Sequence, residues 1–449
     1  MKQLAPLLLA ALCHSALASD SPKNINSPKD INSPKDTNSP KNIIMIVGDG
    51  MGPSYTTAYR MYADDPSTPE VETTVFDRLL VGMSSTHPHM DTGYVTDSAA
   101  SATALATGVK TYNGAIGVDA NKKPVPSVLE LAKEQGRKTG IAVTSQINHA
   151  TPASFGAHNE SRQNYDQIAD SYFDEKTNGQ FVLDVMLGGG WKYFIREDRN
   201  LVKQFKAAGY QYVDELSQLA SVKAGTPLLG LFADSGMPWA LDSANQMRLP
   251  TLAKAAIRQL ENDQGYFLLI EASQIDWAGH GNDIGSAMAE MHDLAVTLEW
   301  LEQYLVKNSD TLLVATADHS TGGLSIGANG NYSWSPKWLK NLKASPVEIG
   351  TQLINAKDRG ALATDLLGFE LTSEEISSLS VIESDKPRAF HNAISKILDN
   401  RSNTGWTTSG HTGVDVQIFA KGLGSEHFRG HLDNTRIAEV LFELLRDKK

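Results

Sequence analysis

Five apolar runs, separated by patterns of a different period, constrain the fold of this 449-residue chain more than any other feature. They span residues 42–48, 139–143, 266–270, 311–315 and 414–419. Short continuous runs of this kind are typical of strands buried on both faces of a sheet. Helical patterns lie between them, including residues 128–132 and the amphipathic stretch 284–305. The alternation predicts an α/β fold with a doubly wound, mostly parallel central sheet and helices on both faces.

The first 18 residues have the pattern of a signal peptide. Lys2 supplies a positive charge, residues 4–12 are largely apolar, and Ala16-Leu17-Ala18 has the small-x-small form that precedes cleavage. We therefore predict cleavage after Ala18 and a periplasmic or secreted location. No later stretch reaches the roughly 18 apolar residues of a membrane-spanning helix, so stable membrane insertion is not expected.

The next segment, residues 19–41, has the composition of a linker. It carries the repeat SPKNIN, SPKDIN, SPKDTN, which places a proline in every six-residue unit and contains almost no apolar side chains. Residues 42–449 are predicted to form one domain. Within that domain, residues from about 325 to 408 are weakly patterned, and we expect an elaboration inserted outside the sheet.

Cysteine and charge content narrow the possible ligands and partners. Cys13, inside the predicted signal peptide, is the only cysteine, so a metal ion would have to be held by oxygen and imidazole rather than by thiolate. The formal net charge of −12 argues against a nucleic-acid partner.

Polar side chains occur where three of the predicted strands end. Asp49 follows the first run, Glu271 follows residues 266–270, and Asp318 with His319 follows residues 311–315. Because the active sites of parallel sheets lie beyond the carboxyl ends of the strands, these side chains are expected to lie close together.

The same region of the sequence offers further metal ligands. Asp276 and His280 are four residues apart, which places them on one face of a helical turn. His411, flanked by glycines, precedes its strand and is expected to arrive from a loop. Each histidine alone could be a hydrogen-bonded structural residue. Together, the imidazole and carboxylate groups favour zinc.

Ser98 lies in a segment, residues 96–104, with the composition of a helix start. It could simply cap the helix, or it could be a nucleophile at the positive end of the helix dipole. A serine hydroxyl is a poor nucleophile at neutral pH unless its pKa is lowered, and a metal ion is the agent that this sequence favours.

From Asn42 to the C-terminus, the chain resembles the alkaline phosphatases. The segment 97–101 (DSAAS) is similar to the family's nucleophile segment, and residues 317–323 (ADHSTGG) and 409–413 (SGHTG) are similar to two of its metal-binding segments. The resemblance implies a catalytic domain that hydrolyses phosphate monoesters at alkaline pH through a phosphoserine at Ser98.

The resemblance also implies a site with two Zn²⁺ ions, one Mg²⁺ ion and a phosphate-binding arginine. One zinc would take Asp276, His280 and His411. The second zinc would take Asp49, Asp318, His319 and Ser98. The magnesium would take Asp49, Thr151 and Glu271. Arg162 is similar to the arginine that clamps phosphate, and a homodimer is the assembly that the resemblance implies.

Two positions depart from the most familiar bacterial pattern, which has aspartate at His149 and lysine at Trp277. A subset of bacterial members, including cold-adapted marine types, is similar to this chain at both positions. His149 is a candidate ligand that would soften the third metal site, and Trp277 lies on the substrate side without the lysine's charge. We expect weaker binding of product phosphate and looser selectivity for magnesium.

Two alternatives stay open from the sequence. A related metal-dependent phosphodiesterase or sulfatase could use the same two-metal arrangement, although Ser98 together with Arg162 favours a monoester. A metal-binding or phosphate-scavenging protein without turnover would not need Ser98 as a nucleophile.

Overall fold

The computed structural model describes residues 39–244, 247–383 and 385–446. The predicted signal peptide and most of the predicted linker lie outside the described residues, so both stay predictions. Among the helices of the described residues, none combines the length and the apolar character needed to cross a membrane.

The described residues form sixteen strands, several of which are only two residues long. They are β1 Asn42–Gly48, β2 Leu80–Ser85, β3 Lys138–Gln146, β4 Lys176–Thr177, β5 Gln180–Phe181, β6 Val185–Gly189, β7 Gln211–Val213, β8 Leu228–Leu231, β9 Tyr266–Ala272, β10 Thr311–Thr316, β11 Ser320–Thr321, β12 Ser325–Ile326, β13 Thr404–Gly405, β14 His411–Thr412, β15 Val416–Gly422 and β16 Gly430–Asp433.

Sixteen α-helices accompany these strands in the described part of the chain. They are α1 Pro53–Ala63, α2 Val75–Leu79, α3 Ser98–Thr107, α4 Val128–Glu134, α5 Ala150–Gly156, α6 Tyr165–Asp174, α7 Trp191–Phe194, α8 Leu201–Ala207, α9 Arg248–Leu260, α10 Gln274–Gly281, α11 Ile284–Lys307, α12 Pro346–Leu353, α13 Arg359–Leu367, α14 Ser373–Ser380, α15 Pro387–Ser402 and α16 Asn434–Arg446.

Ten strands form one sheet in the order β16-β2-β15-β10-β1-β9-β3-β6-β8-β7. Every neighbouring pair is parallel except the two pairs made by β15. The five predicted apolar runs are strands β1, β3, β9, β10 and β15 of this sheet. The prediction of a mostly parallel α/β sheet is therefore confirmed.

The sheet is buried on both faces, and β1 shows why its sequence is apolar throughout. Ile44 and Ile46 belong to an apolar cluster that includes side chains of α9 and α11. Ile43 and Met45 belong to a second cluster with side chains of α3, α4 and α16. Burial of each such side chain contributes about 1.5–3 kcal/mol, so a polar residue on either face would be costly.

Residues 325–408 contain helices α12 to α15 and the strands β12 and β13. These two strands pair with each other rather than with the ten-stranded sheet. Helix α15 packs against α12 and α11. His391 of α15 also lies beside Gly281, the last residue of α10, and α10 is the helix that carries Asp276 and His280. The domain boundaries at residues 42 and 449, and the insertion at about 325–408, stay predictions.

Candidate active site

Three neighbouring parallel strands bring the predicted carboxylates to one edge of the sheet. β1 lies between β9 and β10, with Val47 opposite both Glu271 and Thr316. Asp49 and Asp318 follow their strands as expected, whereas Glu271 is still within β9. All three carboxylates are completely buried.

Among the described residues, four oxygen atoms of these carboxylates lack hydrogen bonds that would offset their burial. Both oxygens of Asp49, Oδ2 of Asp318 and Oε1 of Glu271 have no hydrogen bond within the described residues. Burial, followed by repulsion from neighbouring carboxylates, raises the pKa of Asp49 well above its usual range. Burial also raises the pKa of both Glu271 and Asp318 to about 7. Unpaired buried carboxylates are unfavourable unless a cation compensates them, so this donor set fits metal ions.

Two histidines are fixed by backbone carbonyls with their second ring nitrogens facing each other. His280 Nδ1 donates to the carbonyl oxygen of Ser409 at 2.6 Å, and His411 Nδ1 donates to that of Thr96 at 2.9 Å. Their Nε2 atoms are 3.1 Å apart. In neutral imidazoles with these hydrogen bonds, both Nε2 atoms carry lone pairs, and a cation is the group that two facing lone pairs would bind.

Asp276, together with His280 and His411, forms the first group of candidate metal ligands. It lies one turn before His280 in α10, as the spacing predicts, and its Oδ2 is 3.4 Å from His280 Nε2. Its Oδ1 is 3.6 Å from His411 Nε2 and also accepts a hydrogen bond from Thr321. Burial acts to raise the pKa of Asp276, but its contacts with His280 and the other nearby imidazoles lower it overall.

His411 does not arrive from an unpaired loop. It belongs to the two-residue strand β14, which pairs with β11 so that Thr321 lies opposite His411. The pairing also stacks the rings of His319 and His411, with centroids 3.6 Å apart.

A second group is formed by Asp49, Asp318 and His319, with Ser98 beside it. His319 Nε2 is 3.5 Å from Asp49 Oδ1, 3.2 Å from Asp318 Oδ2 and 3.1 Å from Ser98 Oγ. Asp318 Oδ1 accepts from the backbone N–H groups of Gly50 and His319, which leaves Oδ2 free for a ligand. Burial lowers the pKa of His319 well below its usual value, so its ring is neutral and can donate a lone pair.

Ser98 is the first residue of α3 and is almost completely buried. The residue that caps the helix is Asp97, whose Oδ1 accepts from the Ala100 N–H at 3.0 Å. The interpretation of Ser98 as a simple cap is therefore wrong. Its hydroxyl lies at the positive end of the helix, where an anionic oxygen is stabilised.

Arg162 is held beside Ser98 by the same cap. Its Nη1 donates to Asp97 Oδ2 at 3.0 Å, and its Nη2 lies 3.2 Å from His149 Nε2. Burial acts to lower the pKa of Arg162, but the charge of Asp97 and the hydrogen bond to it raise the pKa overall. The guanidinium thus stays charged and keeps further N–H groups for an anionic ligand.

A third group contains Asp49, His149 and Glu271, with ligand atoms within 4.8 Å of one another. Glu271 Oε2 accepts from Ser273 at 2.6 Å and from Ser145 at 3.3 Å, whereas Oε1 is free among the described residues. The Thr151 hydroxyl and His149 Nδ1 are also buried without a hydrogen-bond partner in the described part of the chain.

Burial, followed by the charge of Arg162, lowers the pKa of His149 to about 3, so its ring is neutral. Trp277 packs edge-on against this ring, with centroids 6.0 Å apart, and edge-on against Trp239 at 6.5 Å. Gly236 leaves room for the indole, because an added Cβ would lie 2.3 Å from it.

Sequence reasoning did not assign roles to Asp97, Thr321, Ser145 or Ser273, which orient the predicted site residues. The adjacency of Asp97 and Ser98 was a local signal for the cap. The Thr321 and Ser145 contacts join distant parts of the chain, so residue spacing could not indicate them, whereas Ser273 lies only two residues after Glu271.

Comparison with known proteins identifies relatives along nearly the whole chain. A profile of the alkaline phosphatase family matches residues 40–446. Alkaline phosphatase 3 of Bacillus subtilis is 46% identical, with 99% of this chain and 97% of that protein covered. Alkaline phosphatase 4 of the same organism is 47% identical, over 91% of this chain and 89% of that protein.

Solved structures agree with this similarity. A cold-active alkaline phosphatase from a psychrophilic Shewanella species is 52% identical with a TM-score of 0.86, covering 90% of this chain and 99% of that one. The alkaline phosphatase of the Antarctic bacterium TAB5 is 27% identical with a TM-score of 0.69, covering 92% of this chain and 100% of that one. A histidine-to-aspartate mutant of the TAB5 enzyme has Mg bound in the M3 site.

Proposed function

This chain belongs to the alkaline phosphatase family and hydrolyses phosphate monoesters, and we propose that it does so through a phosphorylated Ser98 at a site for two Zn²⁺ ions and one Mg²⁺ ion. The observation that carries the proposal is the position of Ser98 Oγ, 3.1 Å from His319 Nε2, beside buried carboxylates with oxygen atoms that have no hydrogen bond within the described residues.

The proposed metal ligands follow the three groups of side chains. One zinc is held by Asp276, His280 and His411, whose donor atoms converge through hydrogen bonds that fix both histidine tautomers. The second zinc is held by Asp49, Asp318 and His319, with Ser98 as a further ligand. When bound, these ions stabilise the serine alkoxide and the charge that develops on the leaving oxygen.

The magnesium is assigned to the third group. Asp49, Thr151 and Glu271 supply oxygen atoms, and His149 lies within reach of the same position. An imidazole is a softer ligand than the oxygens that Mg²⁺ prefers, so we propose that this third group also accepts Zn²⁺. The Mg bound in the M3 site of the TAB5 mutant supports a third metal position in the family.

The chain's own residues then perform the phosphoryl transfer. Arg162 binds non-bridging phosphate oxygens and is oriented by Asp97. Ser98 Oγ, after losing its proton to solvent, attacks phosphorus; the bond to the alcohol oxygen breaks, and that oxygen takes up a proton from solvent as the alcohol departs. Water then attacks the phosphoserine and frees Ser98 and inorganic phosphate. Trp277, packed against His149, contributes no positive charge to the phosphate-binding side, which favours release of the product.

Two further parts of the proposal concern the whole protein. Export to the periplasm or the medium follows from the N-terminal pattern of the sequence, and a homodimer follows from the family. Fractionation of the producing cells tests the first, and the molar mass in solution tests the second.

The direct test measures nitrophenol release from p-nitrophenyl phosphate at alkaline pH for the wild type and Ser98→Ala. We expect activity that disappears on chelation, returns with Zn²⁺ and Mg²⁺, and is nearly absent in the variant. Full activity in Ser98→Ala would exclude the phosphoserine. Bis-p-nitrophenyl phosphate and nitrocatechol sulfate are the control substrates, because preference for either would favour the diesterase or sulfatase alternative.

A further inference from the structure

A polar cavity of about 540 Å³ adjoins the first metal group. Two of its lining residues, His280 and Ser409, belong to the site already described, since His280 Nδ1 donates to the Ser409 carbonyl. Its opposite wall is one face of α15. Sites for small organic ligands have volumes of about 300–1,000 Å³, so the cavity is large enough for a sugar-sized group.

The α15 wall is positively charged. Arg388, Asn392 and Lys396 follow one another at intervals of four residues, so they lie on the same face of the helix. All three are exposed and line the cavity. Among the described residues, neither Arg388 nor Lys396 has a carboxylate oxygen within 4.0 Å. Neither charge is therefore held in a direct ion pair within the described ranges, although the charge of Lys396 acts on Asp399.

The base of the cavity is polar and fixed. Asp399 is the single carboxylate among the described lining residues, and its Oδ1 already accepts a hydrogen bond from Trp406 Nε1 at 3.0 Å. Ser395 also lines the cavity, is only 4% exposed, and has a hydroxyl without a partner in the described part of the chain. This hydroxyl can donate a hydrogen bond, but its oxygen is itself buried behind the cavity surface.

One wall of the cavity packs against the segment that leads to the catalytic residues. The Trp406 indole packs so closely on Gly322 that an added Cβ there would lie 2.6 Å from the ring. Gly322 directly follows β11, which pairs with the strand that carries His411. His280 forms the boundary between the two spaces, and its side chain is 42% exposed. A substrate with phosphate at Ser98 can therefore extend its alcohol part past His280 into the cavity.

We propose that this cavity binds the alcohol part of the substrate, and that Arg388 and Lys396 select monoesters whose alcohol part carries a second phosphate group. The inference rests on the proposed function, because it takes Ser98 as the position of the reacting phosphate. The two cations of the α15 wall outnumber its one engaged carboxylate, Asp399, so the wall keeps a net positive charge for the second phosphate.

The test compares fructose 6-phosphate with fructose 1,6-bisphosphate, which differ by one phosphate on the same sugar. Initial rates of phosphate release from the metal-loaded enzyme give kcat/KM for each, with the bisphosphate value halved for its two esters. We expect a preference of about fivefold to tenfold for the bisphosphate at low ionic strength, expressed mainly in KM. Raising NaCl from about 20 mM to about 500 mM should remove most of it.

In the double variant Arg388→Gln, Lys396→Gln, the ratio of kcat/KM for bisphosphate over monophosphate should fall toward one. The single variant Arg388→Lys keeps both positive charges and should retain part of the preference. Lys357→Gln is the matched control, because it removes one exposed positive charge outside the cavity and should leave the preference unchanged. A preference that is absent in the wild type, or retained in the double variant, overturns the inference.

Hydrolysis of neither sugar phosphate would instead overturn the proposed function and this inference together. Glucose 6-phosphate against 6-phosphogluconate shows whether a carboxylate is selected equally, which would overturn selection for phosphate.

Discussion

The substitution Asp97→Asn should separate the two roles of Asp97, which are capping α3 and orienting Arg162. Its Oδ1 accepts from the backbone N–H groups of Ala100 and Gly114, each at 3.0 Å, and its Oδ2 accepts from Arg162. Asparagine keeps one carbonyl oxygen for the two N–H groups, but its amide turns a donor toward the guanidinium. The helix cap should therefore survive, whereas the orientation of Arg162 should not.

The magnitude follows from the hydrogen bond that is lost. A hydrogen bond between charged groups contributes about 1.5–3 kcal/mol, and partial exposure of both side chains moves the value toward the lower end. We expect the inhibition constant for inorganic phosphate to rise about tenfold in Asp97→Asn, with the free energy of unfolding changed by a few tenths of a kcal/mol.

Inhibition of p-nitrophenyl phosphate hydrolysis by phosphate is the assay, and urea unfolding is the control for the cap. Asp97→Ala should raise the inhibition constant similarly and also lower the free energy of unfolding by about 1 kcal/mol, because alanine cannot cap the helix. An inhibition constant within twofold of the wild type in Asp97→Asn would refute the role of Asp97 in orienting Arg162.

Three other outcomes are expected. Because the pKa of Glu271 and of Asp318 is raised to about 7 in the folded chain, the metal-free protein should lose stability as the pH rises from about 4 to about 7. Thermal unfolding should show this loss and its recovery with Zn²⁺ and Mg²⁺, and a flat metal-free profile would contradict it. Trp277→Lys should lower the phosphate inhibition constant, since it adds a cation on the phosphate side; an unchanged constant would count against that placement. His149→Asp should raise the Mg²⁺ to Zn²⁺ ratio of the third group in elemental analysis, and an unchanged ratio would argue against His149 as a ligand.

The sheet was predictable where strands are long and buried on both faces. β1, β3, β9 and β10 each contain a continuous apolar stretch, so the sequence pattern identifies them. β16, with the sequence GHLD, lies at the sheet edge and buries no apolar run. The five-residue β6 ends in two glycines and resembles a turn. Such strands depend on their neighbours for pairing, and local sequence does not carry that information.

The candidate site, like the sheet, could be predicted from the sequence only in part. The rule that ligands lie beyond the carboxyl ends of parallel strands predicts that Asp49 and Asp318 meet. The spacing of Asp276 and His280 predicts that both face one side of α10. The fixed histidine tautomers and the cavity under α15 arise from contacts between segments more than a hundred residues apart, which a single sequence does not reveal.

The central position of β1 has a consequence for how the protein forms. Asn42 pairs with Thr311, 269 residues later, and the adjacent strand on the other side is β9. The first strand to leave the ribosome therefore has no sheet partner until more than half of the chain has been synthesised. Such non-local pairing slows folding. His411 is in β14, which comes after β10 in the chain, so it can join the site only once β14 has paired with β11. Metal capture is consequently a late event, because a chain truncated before β14 lacks His411 and so lacks a complete site.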